Sequence, residues 1–147
     1  MTIEQITAHL ECSLHQQVIQ KRAHRLILSV PREQLHEAAG ILASEGVQHL
    51  STITARDTGT SFEVLYHFFT DGILLTVKTM APREDPTVDS LMDLFPSAVL
   101  YEREIFDLLG ITPRGHPDLR RLVLPDDWPG GYPLRKDWKP SGGEPHA

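Results

Sequence analysis

The stretch Ser61-Phe62-Glu63-Val64-Leu65-Tyr66-His67-Phe68-Phe69-Thr70-Asp71-Gly72-Ile73-Leu74-Leu75-Thr76-Val77 decides the fold. Phe62, Val64, Tyr66 and Phe68 alternate with Glu63, Leu65 and His67. Successive side chains of a strand point to opposite faces, so this alternation gives one strongly apolar face. Asp71-Gly72 is a hairpin turn signal, and it leads into a further strand over 73–79. Upstream, residues 47–55 are rich in β-branched side chains and are followed by a turn over 57–59. The three strands read as an antiparallel meander. Its apolar face requires cover, and the flanking segments supply helices to provide it.

Before the meander, Thr2 and Gln5 have the spacing of a capping box, and Ile3, Ile6 and Leu10 share one face of a short helix. Residues 16–21 and 25–30 read as two strands joined over 22–24. Pro31 suits the first turn of the next helix, where its missing N–H costs nothing. In that helix Leu35, Ala38, Ala39 and Leu42 mark a buried stripe, and Gly46 supplies a left-handed cap. After the meander, 81–86 is a loop. Val88, Leu91, Met92 and Phe95 have helical spacing that Pro96 ends. Ser97 is placed to cap a second helix, which runs to Leu109 and stops at Gly110. The expected class is α+β: an antiparallel sheet of about four or five strands covered by helices, with an extended proline-rich C-terminal arm.

A chain of 147 residues has room for one core. Its apolar run over 73–77 is strand-sized, far short of the roughly 18 residues of a membrane span. The first ten residues lack a basic segment followed by an apolar one, so no signal peptide is expected. Cys12 is the single cysteine. An internal disulfide, an iron–sulfur cluster or a thiolate zinc site held by this chain alone is thereby excluded. The formal net charge of −6 argues against nucleic acid as a partner.

Charge and proline content change near Gly110. Residues 1–100 hold 12 acidic and 7 basic side chains, whereas residues 101–140 hold 7 of each, closely interleaved. Seven of the 11 prolines lie between Pro113 and Pro145, which rules out a long helix there. Yet this segment carries Leu119, Leu122, Val123, Leu124, Trp128, Tyr132, Leu134 and Trp138, and a disordered tail is poor in such residues. The chain therefore divides into a core over 1–110 and an extended partner-binding arm over 111–147, with 141–147 as a loose end.

The helix over 97–109 contains Tyr101-Glu102-Arg103-Glu104-Ile105-Phe106-Asp107-Leu108-Leu109. At about 100° per residue, Tyr101, Ile105, Leu108 and Leu109 form its core stripe. Arg103 and Asp107, four apart on the opposite face, are positioned for a weak mutual pair. Glu102 lies on the flank of the apolar stripe, where it either reaches water or needs a partner. Two further motifs follow. One is Gly115-His116-Pro117-Asp118-Leu119-Arg120-Arg121; the other, after Trp128, is Pro133-Leu134-Arg135-Lys136-Asp137.

In order and spacing, these three motifs resemble the C-subunit family of respiratory complex I, the proton-pumping NADH–quinone oxidoreductase. The relatives of that family include the homologous small subunit of energy-converting membrane-bound hydrogenases. The chain departs from many relatives at Gly131-Tyr132-Pro133, where those carry a histidine before the proline. The resemblance implies a subunit of an electron-transferring enzyme that holds no redox centre or cofactor itself. It also implies packing against the large hydrogenase-like partner of the D type and against other hydrophilic-arm subunits. The arm would wrap that large partner, on the cytoplasmic side of a membrane touched only through the complex. Glu102, Arg103, Glu104, Asp107, His116, Asp118, Arg120, Arg121, Trp128, Pro133, Leu134, Arg135, Lys136 and Asp137 are the interface or structural motif residues carried by the match.

A second reading stands beside it: a free-standing α+β hydrolase or ligand-binding domain using His116, Asp118 and Arg120. No serine or cysteine nucleophile sits in a recognisable motif to support it. His9, His15, His24, His36, His49 and His67 lack ligand-like spacing, and no catalytic or metal-binding residue is expected. Gly130-Gly131 and Gly142-Gly143 lack the helix and lysine of a phosphate loop, so NADH binding by this chain is not expected. The basic residues of the arm are offset by Asp118, Asp126, Asp127 and Asp137, which favours interchain ion pairs over phosphate or lipid. Within the chain, Glu102 or Glu104 is expected to pair with Arg120 or Arg121 and pin the root of the arm. Arg135 and Lys136 would then face the partner.

Overall fold

The computed structural model describes residues 2–15 and 18–140. Helix α1 (Ile3–Ser13) opens on the expected capping box: the Gln5 N–H donates to Thr2 Oγ1, and Thr2 N–H donates to Gln5 Oε1. Strands β1 (Val18–Arg22) and β2 (Arg25–Ser29) form an antiparallel hairpin. Residues 16 and 17 of the strand expected there lie outside the described residues. A 3₁₀ turn (Arg32–Gln34) follows Pro31 and leads into α2 (Leu35–Ser44). Then come β3 (Leu50–Asp57), β4 (Ser61–Thr70) and β5 (Ile73–Pro82), the meander read from the sequence.

The five strands form one sheet in the order β1-β2-β5-β4-β3. The sheet is mixed rather than purely antiparallel, because β2 pairs with β5 in parallel. Hairpin signals fix neighbours that are close in sequence and say nothing about how the hairpin and the meander join. Here the chain from β2 passes through α2, β3 and β4 before β5 arrives beside β2, a crossover long enough for a parallel pair.

One face of the sheet carries the core. Leu26, Leu28, Phe62, Val64, Tyr66, Phe68, Leu75 and Val77 point into it, against Ile6 and Leu10 of α1 and Leu35 and Leu42 of α2. No helix is expected to hold without such a face, since packing supplies most of its stability.

A second correction concerns residues 88–95, where apolar spacing predicts a helix. The structure has strand β6 (Thr87–Asp89) and a single turn in which the Leu94 and Phe95 N–H groups donate to Leu91 O. Val88, Leu91 and Phe95 are buried all the same, so the apolar spacing is informative about burial and not about helix. Pro86 and Pro96 bracket a segment too short to nucleate a helix on its own. The Ser90 and Leu91 N–H groups are taken by Arg114 O and Glu102 Oε1.

Helix α3 (Ala98–Leu109) runs as expected and ends at Gly110, whose φ of 72° is left-handed. Ser97 does not cap it with its side chain; that hydroxyl donates instead to Leu50 O at 3.2 Å. Strand β7 (Thr112–Arg114) pairs in parallel with β6, at a place where the sequence shows no strand period. Pro113, which has no N–H to donate, is tolerated because its nitrogen faces the side of this two-stranded ribbon that pairs with no strand. Among the described residues no helix is long and apolar enough to cross a membrane.

Candidate functional site

The three motifs converge on α3 and the chain that returns over it. Asp107 is the anchor. One oxygen, Oδ2, accepts the N–H groups of Leu122, Val123 and Leu124 at 3.2, 2.9 and 2.8 Å. Burial by itself would raise this carboxyl's pKa, but the three backbone donors outweigh it and hold the group below the ordinary aspartate range. One turn earlier, Arg103 donates through Nε to Arg120 O at 3.0 Å and through Nη2 to Arg121 O at 2.7 Å. The two charges that spacing leaves on a solvated face therefore clamp the backbone at the root of the arm. They do not pair with each other.

Glu102 has a different part. Its side chain is fully buried; Oε2 accepts the Ser90 hydroxyl and Oε1 the Leu91 N–H, both at 2.7 Å. Burial pushes its pKa up, and the two donors only partly offset that. No arginine reaches it, and Glu104 is exposed. The expected pair with Arg120 or Arg121 is thus replaced by a carboxylate that ties α3 to the turn after β6. Arg120 instead grips Asp118 with two donors, at 2.6 and 2.7 Å. Arg121 donates to Pro125 O. The Tyr66 hydroxyl is buried with no hydrogen-bond partner among the described residues, and burial followed by the Glu102 charge raises its pKa well above normal.

His116 holds the arm to the start of α3. Its Nδ1 accepts the Asp118 N–H at 3.0 Å, which leaves Nε2 as the protonated nitrogen that donates to Val99 O at 3.0 Å. Both ring nitrogens are engaged by backbone, and the Asp118 carboxylate faces Arg120. That geometry is structural, and it provides no acid–base dyad for the hydrolase reading. Among the described residues no group of three or more His, Cys, Asp and Glu side chains is placed to hold a metal ion.

The distal arm also folds back. Leu134 N–H donates to Leu108 O at 3.1 Å. Arg135 Nε donates to Leu109 O at 2.7 Å, and its guanidinium lies over Phe62 and Tyr132, 4.9 and 4.6 Å from the ring centroids. Gly110 makes this approach possible, since a Cβ there would sit 2.6 Å from both Arg135 Nη2 and Tyr132 Cε2. Arg135 therefore rests on the chain's own core, whereas Lys136, expected beside it at a partner surface, is exposed. The Lys136 N–H donates to Asp57 Oδ2 at 2.9 Å, and Asp57 Oδ1 receives Arg83 at 2.6 Å. Arg83 reaches on to Asp137 at 2.9 Å. The Arg83 guanidinium, then the Lys136 and Gly59 N–H groups, overcome burial and keep the Asp57 carboxyl far below the usual carboxylate range. Sequence reasoning misses Asp57 and Arg83: one ends β3 and the other opens the turn after β5, and nothing local marks the return of the arm. Further along, Trp128 and Trp138 stack with ring centroids 5.8 Å apart, Trp128 Nε1 donates to Gly131 O, and Pro133 is half-buried.

Among its exposed charged residues the arm also presents apolar side chains to solvent. Leu122, Val123 and Leu134 are 42%, 54% and 57% exposed, and Leu134 borders a groove lined by Thr52, Thr54, Glu104 and Leu108. The backbone is fastened inward by charged side chains, and these three apolar side chains face solvent. Such an arrangement suits a docking surface better than a catalytic cleft.

Residues 28–144 match the family described as respiratory-chain NADH dehydrogenase, 30 Kd subunit. The chain is similar to the NADH-quinone oxidoreductase C subunit of Moorella thermoacetica, with 40% identity over 80% of this chain and 83% of the relative. It is also similar to the NADH-quinone oxidoreductase C/D protein of Phocaeicola vulgatus, with 38% identity over 78% of this chain and 23% of that longer protein. Coverage of other relatives is partial: 27% of the Chloroherpeton thalassium C subunit and 59% of a Thermus thermophilus relative. Among solved structures, a chain of the membrane-bound sulfane sulfur reductase, an archaeal respiratory membrane complex, superposes with a TM-score of 0.82. That match has 28% identity over 92% of this chain and 84% of the other. With the family matched over most of its length, and with the motif residues placed around α3, this chain belongs to the 30-kDa (C-subunit) family of respiratory-chain NADH dehydrogenases and related respiratory complexes.

Proposed function

We propose that this chain is a non-catalytic peripheral-arm subunit of a complex-I-like NADH:quinone oxidoreductase or a related energy-converting hydrogenase. In this reading its arm docks on the large hydrogenase-like partner, the D type, and it supports electron transfer without holding a redox centre. The observation that carries the reading is the exposure of Leu122, Val123 and Leu134 on an arm held at its root by Arg103 and Asp107 and, further out, by the Leu108 and Leu109 carbonyls. A preorganised apolar strip loses little conformational entropy on docking. The Phocaeicola relative, named as one C/D protein, supports a D-type partner, because joining two chains suits neighbours in an assembly. The subunit would sit peripherally on the cytoplasmic side of the membrane, bound there through its partners.

The test is co-purification with the D-type subunit encoded in the same genome. Val123→Glu and Leu134→Glu are each expected to reduce the yield of complex about tenfold, the order expected for charging an interface core. The melting temperature of the free chain should stay within about two degrees, because surface substitutions seldom move stability far. Unchanged yields for both variants would remove the arm as the docking element. A separate result is expected of the purified chain: no stoichiometric iron or flavin and no oxidation of NADH, checked by metal analysis, absorbance and a rate assay. Stoichiometric iron or flavin in the folded chain would overturn the non-redox assignment.

A further inference from the structure

The face of the sheet opposite the core has no cover among the described residues. Register places its side chains in rows across the strands. Arg22, Arg25, Leu74 and Phe69 form one row; Gln20, Ile27, Thr76, His67 and Thr52 form the next. Below them lie Ser29, Lys78, Leu65 and Thr54, and then Met80, Glu63 and Arg56. Two properties of this face stand out. Five large apolar side chains, Ile27, Leu65, Phe69, Leu74 and Met80, lie along its three inner strands β2, β5 and β4, with Phe69 53% and Met80 42% exposed. A sheet face that meets only water normally alternates to polar residues there.

The second property is charge. Glu63 is the single acid of the face, and Arg56 engages it through Nε and Nη2 at 3.2 and 3.3 Å. Arg22, Arg25 and Lys78 have no carboxylate partner among the described residues, although the whole chain carries a net charge of −6. Arg25 and Lys78 line opposite sides of a depression of about 280 Å³ floored by Thr76. His67 adds no further charge at neutral pH: burial, then the Arg25 charge, lowers its pKa, and its nitrogens meet the Thr76 and Thr54 hydroxyls at 3.1 and 3.3 Å.

We propose that this face docks an amphipathic helix of another subunit, apolar along one stripe and flanked by carboxylates that meet Arg25 and Lys78. The charge complementarity commits the occupant to an acidic one. The geometry commits it to a helix, because the ladder groups of β2, β5 and β4 are already paired and contact must run through side chains. Helices already cover the other face of this sheet, and a helix here completes a three-layer sandwich. The inference rests on membership of a multi-subunit complex, but not on the docking role of the arm, which is seated on α3 and on Phe62 of the core face.

The test uses the parent complex purified from its source through a tag on this chain, with the free chain beside it. Hydroxyl-radical footprinting is expected to show Phe69 and Met80 protected in the complex and reactive in the free chain. With p-benzoylphenylalanine at position 69 or 80, photo-cross-links should fall on one helix of another subunit that carries acidic residues beside its apolar stripe. The double variant Arg25→Glu with Lys78→Glu should lower that cross-link yield about tenfold, as expected when charges at an interface are reversed. Equal reactivity of Phe69 and Met80 in both samples would overturn the proposal. So would cross-links to a second copy of this chain, to an extended segment or to lipid, or an undiminished yield in the double variant. The arm variants Val123→Glu and Leu134→Glu separate the two readings, since protection at Phe69 in the wild-type complex does not depend on them.

Discussion

Asp107→Ala is expected to destabilise the chain by about 2 kcal/mol and to release the root of the arm, because hydrogen bonds to a charged group are worth about 1.5–3 kcal/mol and are not additive. The carboxylate gathers three consecutive N–H groups on one oxygen. Alanine leaves all three to find water, which Leu122 and Val123 reach more readily than Leu124. Asp107→Asn keeps an acceptor and loses the charge, so its cost should fall between wild type and alanine. Hydrogen exchange separates this loss from a general weakening: amides 122–124 should exchange faster while those of β4 and β5 keep their protection. Unaltered exchange at 122–124 would show that the contact does not hold the arm.

The same group has a pH signature. Its pKa is depressed in the folded chain, so its contribution is fully present above the unfolded value, near 4. That contribution is lost as the pH falls through the folded pKa. The stability gap between wild type and Asp107→Ala should therefore be constant at neutral pH and close on acidification. Asp57, held still lower by Arg83, contributes acid lability of the same sign at the far end of the arm.

The parts of this molecule legible in its sequence are those set by local chemistry. The capping box of Thr2 and Gln5, the alternation from Phe62 to Phe68, the Asp71-Gly72 turn and the left-handed stop at Gly110 each involve residues close in the chain. The parallel junction of β2 with β5 is not legible, because neither strand differs in composition from an antiparallel one. At 88–95 apolar spacing reads as helix where none forms, yet the tertiary demand it records, burial of Val88, Leu91 and Phe95, is met.

The candidate site shows the same division. Spacing puts Glu102 on the flank of the apolar stripe, where it either reaches water or needs a partner; the structure buries it with two. Which two depends on the turn after β6, a stretch whose spacing reads as helix. Spacing also puts Arg103 and Asp107 on one exposed face, and the free valence of that face is real. Its partners are backbone groups of the arm, and backbone groups leave no residue-type signal. The family motifs bring all these residues to notice together without saying which touches which.

Glu102 provides the second large effect, and its two substitutions should diverge. Glu102→Ala removes a fully buried side chain, leaves a cavity, and strands the Ser90 hydroxyl and the Leu91 N–H. A loss of about 3 kcal/mol is expected, in the range for stranded buried donors combined with a cavity. Glu102→Gln keeps the shape. Its carbonyl accepts from Leu91, and the Ser90 hydroxyl turns to accept from the amide, so at neutral pH the cost should stay below about 1 kcal/mol. The pH dependence carries the sharper information. Burial raises the folded pKa of Glu102 above its unfolded value, so the folded chain binds the proton more tightly. Stability from this group is then full below the unfolded pKa and declines as the pH rises through the folded one, opposite in sign to Asp107. Glutamine does not titrate, so Glu102→Gln should gain on wild type as the pH rises from about 4 through that window, beginning at the ordinary glutamate pKa. Urea unfolding of the three chains at several pH values measures both effects. A gap between wild type and Glu102→Gln that does not move with pH would mean that the buried carboxylate is as well solvated by its two donors as by water.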